Sequence, residues 1–218
     1  MLRCEFHSHT VYSKDSLTQP EKILAACQRK GIQRIAITDH NTIQGGLHAR
    51  SLDPEHVIVG EEIMTTQGEL LAFFVEEEIP HGLSPQETIQ RLRGQEAFIS
   101  VSHPFDRMRK GAWKEADLLE ILPLIDAIEI FNSRCISPES NRLAQDFARQ
   151  HDLASTVGSD AHVIFEIGKA TMLLPEFHDA QGLQAVIRQG EPRVSLSSPW
   201  VHLTSRYASW YKKLKSRR

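Results

Sequence analysis

Short apolar runs recur along this 218-residue chain, amphipathic stretches fill the gaps between them, and most runs end in a residue able to bind a metal ion. That repeated pairing restricts the fold more than any other property of the sequence. The runs are Leu2 to Phe6, Ile35 to Thr38, Val57 to Gly60, Leu70 to Val75, Ala97 to Val101, Ala127 to Phe131, Ala154 to Val157 and Ala170 to Leu174. Helical signals lie between them. Thr18 and Glu21 have capping-box spacing, Pro20 suits a first turn, Ile23, Leu24 and Cys27 share a face, and Gly31 ends the segment. Ser84, Pro85 and Glu87 open a helix running toward Arg93; Leu143, Ala144, Phe147 and Ala148 mark another, and Leu183, Val186 and Ile187 a last one. Strand–helix alternation predicts a mostly parallel sheet, which needs helices over its faces and obtains them by closing into an α/β barrel.

No linker or internal repeat divides the chain, so one barrel domain is expected over residues 1–198 and an amphipathic, basic C-terminal helix or tail over 199–218. In that tail Trp200, Leu203, Tyr207, Tyr211 and Leu214 fall on one helical face, and Lys212, Lys213, Lys215, Arg217 and Arg218 crowd the end. The expected placement is a helix laying its aromatic face on the barrel, with docking on a membrane surface or nucleic acid as the other reading. The formal net charge of −3 gives no global basic character, so nucleic acid is not the favoured partner. Three scattered cysteines, Cys4, Cys27 and Cys135, read as reduced thiols, and MLRCEFHSHT has no apolar signal-peptide core; together these lead us to expect a cytoplasmic protein without a membrane span.

Chemistry-bearing residues sit just past the runs. His7 and His9 follow the first, Asp39 and His40 the second, Glu61 and Glu62 the third; His103, Asn132, and Asp160 with His162 follow later ones. Taken singly, each has an ordinary explanation as a turn residue, a helix cap, a solvated charge or a satisfied core histidine. Six such run ends are harder to explain singly, because in a parallel barrel all strand C-termini open on one face, where these groups would converge. A buried cluster of carboxylates repels itself, and divalent cations relieve that cost. The candidate ligands are His7, His9, Asp15, His40, Glu62, His103, Asn132, Asp160 and His162. Imidazole with carboxylate suits Mn, Zn or Fe, and nine groups suit two or three ions roughly 3.5–4 Å apart with positions left for water. Three divalent ions outweigh the carboxylates Asp15, Glu62 and Asp160, so the site would favour a phosphate dianion over a neutral ester.

Phe6-His7-Ser8-His9-Thr10, Thr38-Asp39-His40-Asn41, Gly60-Glu61-Glu62, Ser102-His103-Pro104-Phe105-Asp106 and Gly158-Ser159-Asp160-Ala161-His162 together resemble the PHP (polymerase and histidinol phosphatase) domain family, in that family's order and over nearly the whole chain. The resemblance implies a distorted (β/α)7 barrel with a trinuclear centre. It implies His7, His9, Glu62 and Asp160 on one ion, Glu62 bridging to a second ion shared with His103, and Asp15, His40 and His162 on the third. Many members carry His or Cys where Asn132 stands, and many carry His where Glu69 follows Gly68; Glu69 is expected to be a strand-end charge. The segment from Glu62 to His103 is short and leaves no room for the helical insertion found in some nucleotide-processing members, so an open site is expected.

The implied activity is hydrolysis of a phosphate ester by a metal-bound hydroxide: a phosphomonoester such as a sugar phosphate, a nucleotide or histidinol phosphate, or an oligonucleotide end. The alternatives are a non-catalytic metal-binding PHP module with a regulatory or partner-binding role, and an amidohydrolase-type enzyme, although no lysine stands at a strand end to be carboxylated. Arg107, Arg109, Lys110 and Arg134 are candidate phosphate clamps, Arg134 the preferred one, with Lys169 behind them; His40 or His103 is the candidate donor to the leaving group.

Overall fold

The computed structural model describes residues 1–215; Arg217 and Arg218 of the basic tail lie outside the described residues. Nine strands form one sheet: β1 (Leu2–Glu5), β2 (Arg34–Ile37), β3 (Val57–Met64), β4 (Glu69–Phe73), β5 (Phe98–Val101), β6 (Ala127–Asn132), β7 (Ala154–Gly158), β8 (Ala170–Leu174) and β9 (Glu191–Val194). Their order is β7-β6-β5-β4-β3-β2-β1-β8-β9. The sheet curls until the loop after β7 meets the end of β1. There Ser8 bridges Ala161, His9 N–H donates to the Ala161 carbonyl at 2.8 Å, and Ala170 N–H donates to Ser159 Oγ at 2.9 Å. The result is the nearly closed α/β barrel that the alternation of elements predicts.

The sheet is less parallel than the alternation suggests. β1–β2, β2–β3, β5–β6 and β6–β7 pair parallel, whereas β3–β4, β4–β5, β1–β8 and β8–β9 pair antiparallel. The cause lies in the connections: only four residues separate β3 from β4, which permits a hairpin and no crossover. A side chain at Gly68 in that turn would collide with the Trp113 ring, which packs over it. β3 also runs beyond the expected Gly60 to Met64, so Glu61 and Glu62 lie inside the strand rather than after it.

Among the described residues seven α-helices surround the sheet: α1 (Pro20–Lys30), α2 (Gln44–Leu52), α3 (Pro85–Arg93), α4 (Glu115–Ile121), α5 (Pro138–Gln150), α6 (Ala180–Val186) and α7 (Val201–Lys215). Ser84 Oγ accepts from Glu87 N–H at the start of α3, as its capping signal predicts. α1 has no such cap. Its N-cap is Gln19, and Thr18 Oγ1 donates to the His162 carbonyl at 2.9 Å, tying the helix entry to the loop after β7. Alternation along the strands divides the core. Phe6, Phe73 and Phe98 stack through the interior with ring centroids 5.2 and 5.9 Å apart, while Ile63, Leu70, Ile99 and Ile128 face Ile89, Leu92, Leu118 and Phe147 of the covering helices.

α7 departs from expectation. Val201 and Ala208, not the aromatic residues, face the barrel, and Trp200 and Trp210 are 74% and 57% exposed. Small side chains let the helix approach closely, and two cations fasten it. Arg134 donates to the Val201 carbonyl and Ser205 Oγ, and Lys212 donates to the Val11 and Ser13 carbonyls. Among the described residues no helix is long and apolar enough to cross a membrane.

Candidate metal centre

The loops after the strands carry imidazoles and carboxylates from all parts of the chain to one mouth of the barrel. His7 Nε2 lies 3.1 Å from His9 Nε2, and each is 3.3 Å from Glu62 Oε2. Asp160 Oδ1 completes this group, 3.6 Å from His7 Nε2 and 3.1 Å from His9 Nε2. The other Glu62 oxygen, Oε1, lies 3.0 Å from His103 Nε2. On the outer side Asp15 reaches His40 Nε2 at 3.4 Å and His162 Nε2 at 3.3 Å. His7, His9, Asp15, His40, Glu62, His103, Asp160 and His162 are therefore gathered in one cluster, with Glu62 at its middle.

Backbone conformation aims several of these groups. Asp160 (φ +51°), Asn41 (φ +54°) and His103 (φ +20°) occupy the left-handed region that non-glycine residues avoid, and they do so where the chain must turn a ligand into the mouth or hold the loop that bears one. Asp39 is not among the converging groups. It accepts from Thr10 N–H and Thr10 Oγ1 at 2.6 Å and from Ser13 Oγ at 2.8 Å, locking the His9 loop against β2.

Two expected residues stand differently. The Asn132 amide donates to Glu129 Oε2 at 3.1 Å and to Asp160 Oδ2 at 3.3 Å, and its oxygen accepts from Arg134 N–H, so it holds the Asp160 carboxylate in place. The Arg134 guanidinium is directed away from the cluster, with its Nε 3.3 Å from Glu166 beneath α7. The cation beside the cluster is Arg109, whose Nη1 is 2.6 Å from Asp160 Oδ2 and whose Nε donates to Asp106 at 3.1 Å.

Glu69 belongs to the cluster rather than to the surface. It is buried at the start of β4, 3.8 Å from His40 Nδ1 and 3.6 Å from His103 Nε2. Glu129 was not anticipated. It accepts from His7 Nδ1 at 2.9 Å and from His103 N–H at 2.9 Å, an arrangement that fixes the His7 ring and leaves Nε2 facing Glu62. Its signal was a lone carboxylate at an inward position of the otherwise apolar strand Ala127 to Phe131.

The electrostatics are those of a site built around cations. Burial disfavours charge on His7 and His40, yet Glu62, Asp160 and Glu129 around His7, and Glu62 and Asp15 around His40, raise both well above an ordinary histidine. Burial pushes His9 down to about 3, helped by His162 and His40, so its ring is neutral and free to donate a lone pair. Against their own burial, Glu62, Asp15 and Asp160 are held well below the usual carboxylate range by the neighbouring histidines and, for Asp160, first by Arg109. Burial and the adjacent Glu62 raise Glu69.

Metal ions fit these residues. Asp15 Oδ1, Glu62 Oε2, Asp160 Oδ1 and His40 Nδ1 are buried atoms in no hydrogen bond, and the three carboxylate oxygens face imidazole nitrogens 2.9 to 3.3 Å away. Three triplets, His7–His9–Glu62, His9–His40–His162 and His40–Glu62–Glu69, each bring ligand atoms within 4.8 Å of one another. Orphaned lone pairs of this kind are costly to bury, and a cation satisfies them all. A cavity of about 260 Å³ adjoins Asp15 and His162, walled by Leu17, Ile164 and, from α7, Thr204 and Tyr207. A larger one, about 660 Å³, opens at the opposite mouth beside Val57, Phe98 and Asp126 and touches no cluster residue.

Residues 5–111 match the family model for the PHP domain, and residues 138–192 match the model described as PHP-associated. Two uncharacterized proteins of Methanocaldococcus jannaschii are similar in sequence. One is 37% identical over 145 residues, which is 61% of this chain and 82% of that protein; the other is 36% identical over 180 residues, 81% of this chain and 72% of that protein. Among solved structures, a two-domain Bacteroides vulgatus protein containing a predicted PHP-like metal-dependent phosphoesterase superposes with a TM-score of 0.70 at 20% identity, covering 89% of this chain and 65% of that one.

Proposed function

The chain belongs to the PHP domain family, and from that premise we propose that it is a metal-dependent phosphoesterase acting on a small phosphorylated substrate or nucleotide at the Glu62 cluster. The observation that carries this reading is the set of buried, unsatisfied carboxylate oxygens on Asp15, Glu62 and Asp160, each facing imidazole nitrogens. Two or three divalent ions held by His7, His9, Asp15, His40, Glu62, His103, Asp160 and His162 would supply an acidified water near neutral pH and neutralise phosphoryl oxygens. Mn, Zn and Fe match the donor set best, with Glu69 as an added carboxylate.

The chain's own groups then have distinct tasks. Arg109, with its side chain 22% exposed, engages Asp106 through Nε, Asp160 through Nη1 and Asn132 through Nη2, which leaves one further N–H on each terminal nitrogen to offer to phosphate oxygens. This gives Arg109 the clamping role that the sequence assigned to Arg134. Of the two histidines considered as donors to the leaving group, His103 is enclosed and His40 reaches the mouth, so His40 is the better placed. The cavity beside Asp15 and His162 takes the leaving group; its volume suits a sugar-sized moiety with one apolar wall. Glu129 and Asn132 hold His7 and Asp160 in orientation.

A panel of aryl phosphate monoester, aryl phosphate diester, sugar phosphates and nucleotides, run with Mn, Zn and Fe, tests the reading beside a His9→Ala control. Turnover that requires metal and collapses in His9→Ala supports it. Stoichiometric metal binding with no turnover on any substrate would favour the non-catalytic module instead.

A further inference from the structure

The aromatic face of α7 points into solvent and is continuous along the helix. Trp200, just before the helix, and Leu203, Tyr207, Trp210, Tyr211 and Leu214 each stand three or four residues from another member of the set, and all are exposed. The opposite face, Val201 and Ala208, rests on the barrel, and Arg134 and Lys212 anchor it there. A soluble helix normally buries its apolar stripe; here the small residues are buried and the large ones are presented.

Charge identifies the partner. Residues 199–218 hold six of the 25 Lys and Arg residues and none of the 28 Asp and Glu. The remaining 198 residues thus carry 19 basic against 28 acidic groups, a balance of −9, while the tail is +6. A strongly basic helix on an acidic body is drawn to an anionic surface that it alone can approach, with the body held on the far side.

We propose that α7 is an interfacial helix that docks the protein on an anionic lipid surface. Trp and Tyr are the side chains that settle at the headgroup level, Leu203 and Leu214 extend the stripe into the acyl boundary, and Arg206 and Lys215 meet the lipid phosphates. A second copy of the chain fits less well, because a two-fold pairing of this face would set two helices of +4 each against one another. Single-stranded nucleic acid fits less well too. Bases need aromatic platforms in a groove, whereas this stripe is a convex ridge interrupted by leucines.

Co-sedimentation of the full chain with phosphatidylcholine vesicles, with and without phosphatidylglycerol, tests the proposal independently of any enzymatic activity. Binding to the anionic vesicles, weakened by salt, is expected, together with a blue shift of tryptophan emission from Trp200 and Trp210, since Trp113 is already buried. The exposed-site variant Leu203→Ser/Trp210→Ser/Tyr211→Ser should keep the wild-type melting temperature and bind at least tenfold more weakly. No binding to anionic vesicles at low salt overturns the proposal. So does binding that this variant leaves unchanged, which would be adsorption by charge alone. Retention of a single-stranded oligonucleotide, or a concentration-dependent dimer lost in the variant, without vesicle binding, would assign the face to those partners instead.

Discussion

At the scale of single residues, adjacent glutamates in β3 illustrate how strand geometry separates roles. Glu62 points to the cluster, whereas Glu61, one residue earlier, points to the outer face, where its Oε2 accepts from Ile79 N–H at 3.1 Å and its Oε1 has no hydrogen bond. Burial, with a small contribution from Glu78, raises the Glu61 carboxyl from 4.5 to about 8. Below the unfolded value it is protonated in both states and costs nothing. As pH rises from there toward 8, the unfolded chain releases the proton more readily than the folded one, so stability falls across that window and levels off above it. Glu61→Gln removes this dependence. Its melting temperature relative to wild type should be near parity at pH 5 and higher at pH 8, by a margin on the order of 5 °C for a chain of this size. An offset that is the same at both pH values would show that Glu61 is ionised in the fold.

Elements explain where the sequence could be read and where it could not. The eight strands with strong apolar runs, and the helices with Pro or Ser at their start, were visible because local propensity and burial agree there. α2 was not, because Gly45 and Gly46 weaken its signal; Gly45 is required since a side chain there would meet the Asp39 carboxylate. β9 was not, because it is an exposed edge strand with proline in it. The imidazoles and carboxylates of the cluster drew notice by standing at or just past the ends of apolar runs, but Glu69 and Glu129, inside strands that gave no such cue, acquire meaning only from neighbours distant in the chain. Arg134 shows the limit most clearly: two residues past Asn132 it reads as a phosphate clamp, yet the fold spends it on α7. Arg134→Ala should therefore strand the buried Glu166 carboxylate and loosen α7, lowering stability on the order of 3 kcal/mol. Chemical denaturation checks this, and Glu166→Gln in the same chain should restore part of the loss. Loss of activity with stability intact would return Arg134 to the clamping role.

For the whole molecule, the cluster lies across strands and loops that backbone hydrogen bonds already join, so anything bound there adds a second tie at the same mouth. Its side chains come from the loops or strands around β1, β2, β3, β5 and β7, so an ion bound there would tie the barrel mouth shut from one end of the sheet's curl to the other. No such constellation exists in the unfolded chain, and binding free energy is then folding free energy. An ion at a hundredfold its dissociation constant adds about 2.7 kcal/mol, and each kcal/mol moves the melting temperature of a chain this long by roughly 2–4 °C. Each ion should therefore raise it by roughly 5–10 °C. The expected result is a low melting temperature in chelator, rising in steps as Mn or Zn is titrated in, with two or three equivalents at saturation by elemental analysis. Asp160→Asn and His9→Ala should each remove part of that rise, because they take ligands from one position and leave the rest of the mouth intact. A melting temperature indifferent to both chelator and metal would mean that the imidazoles and carboxylates at this mouth are satisfied by one another alone.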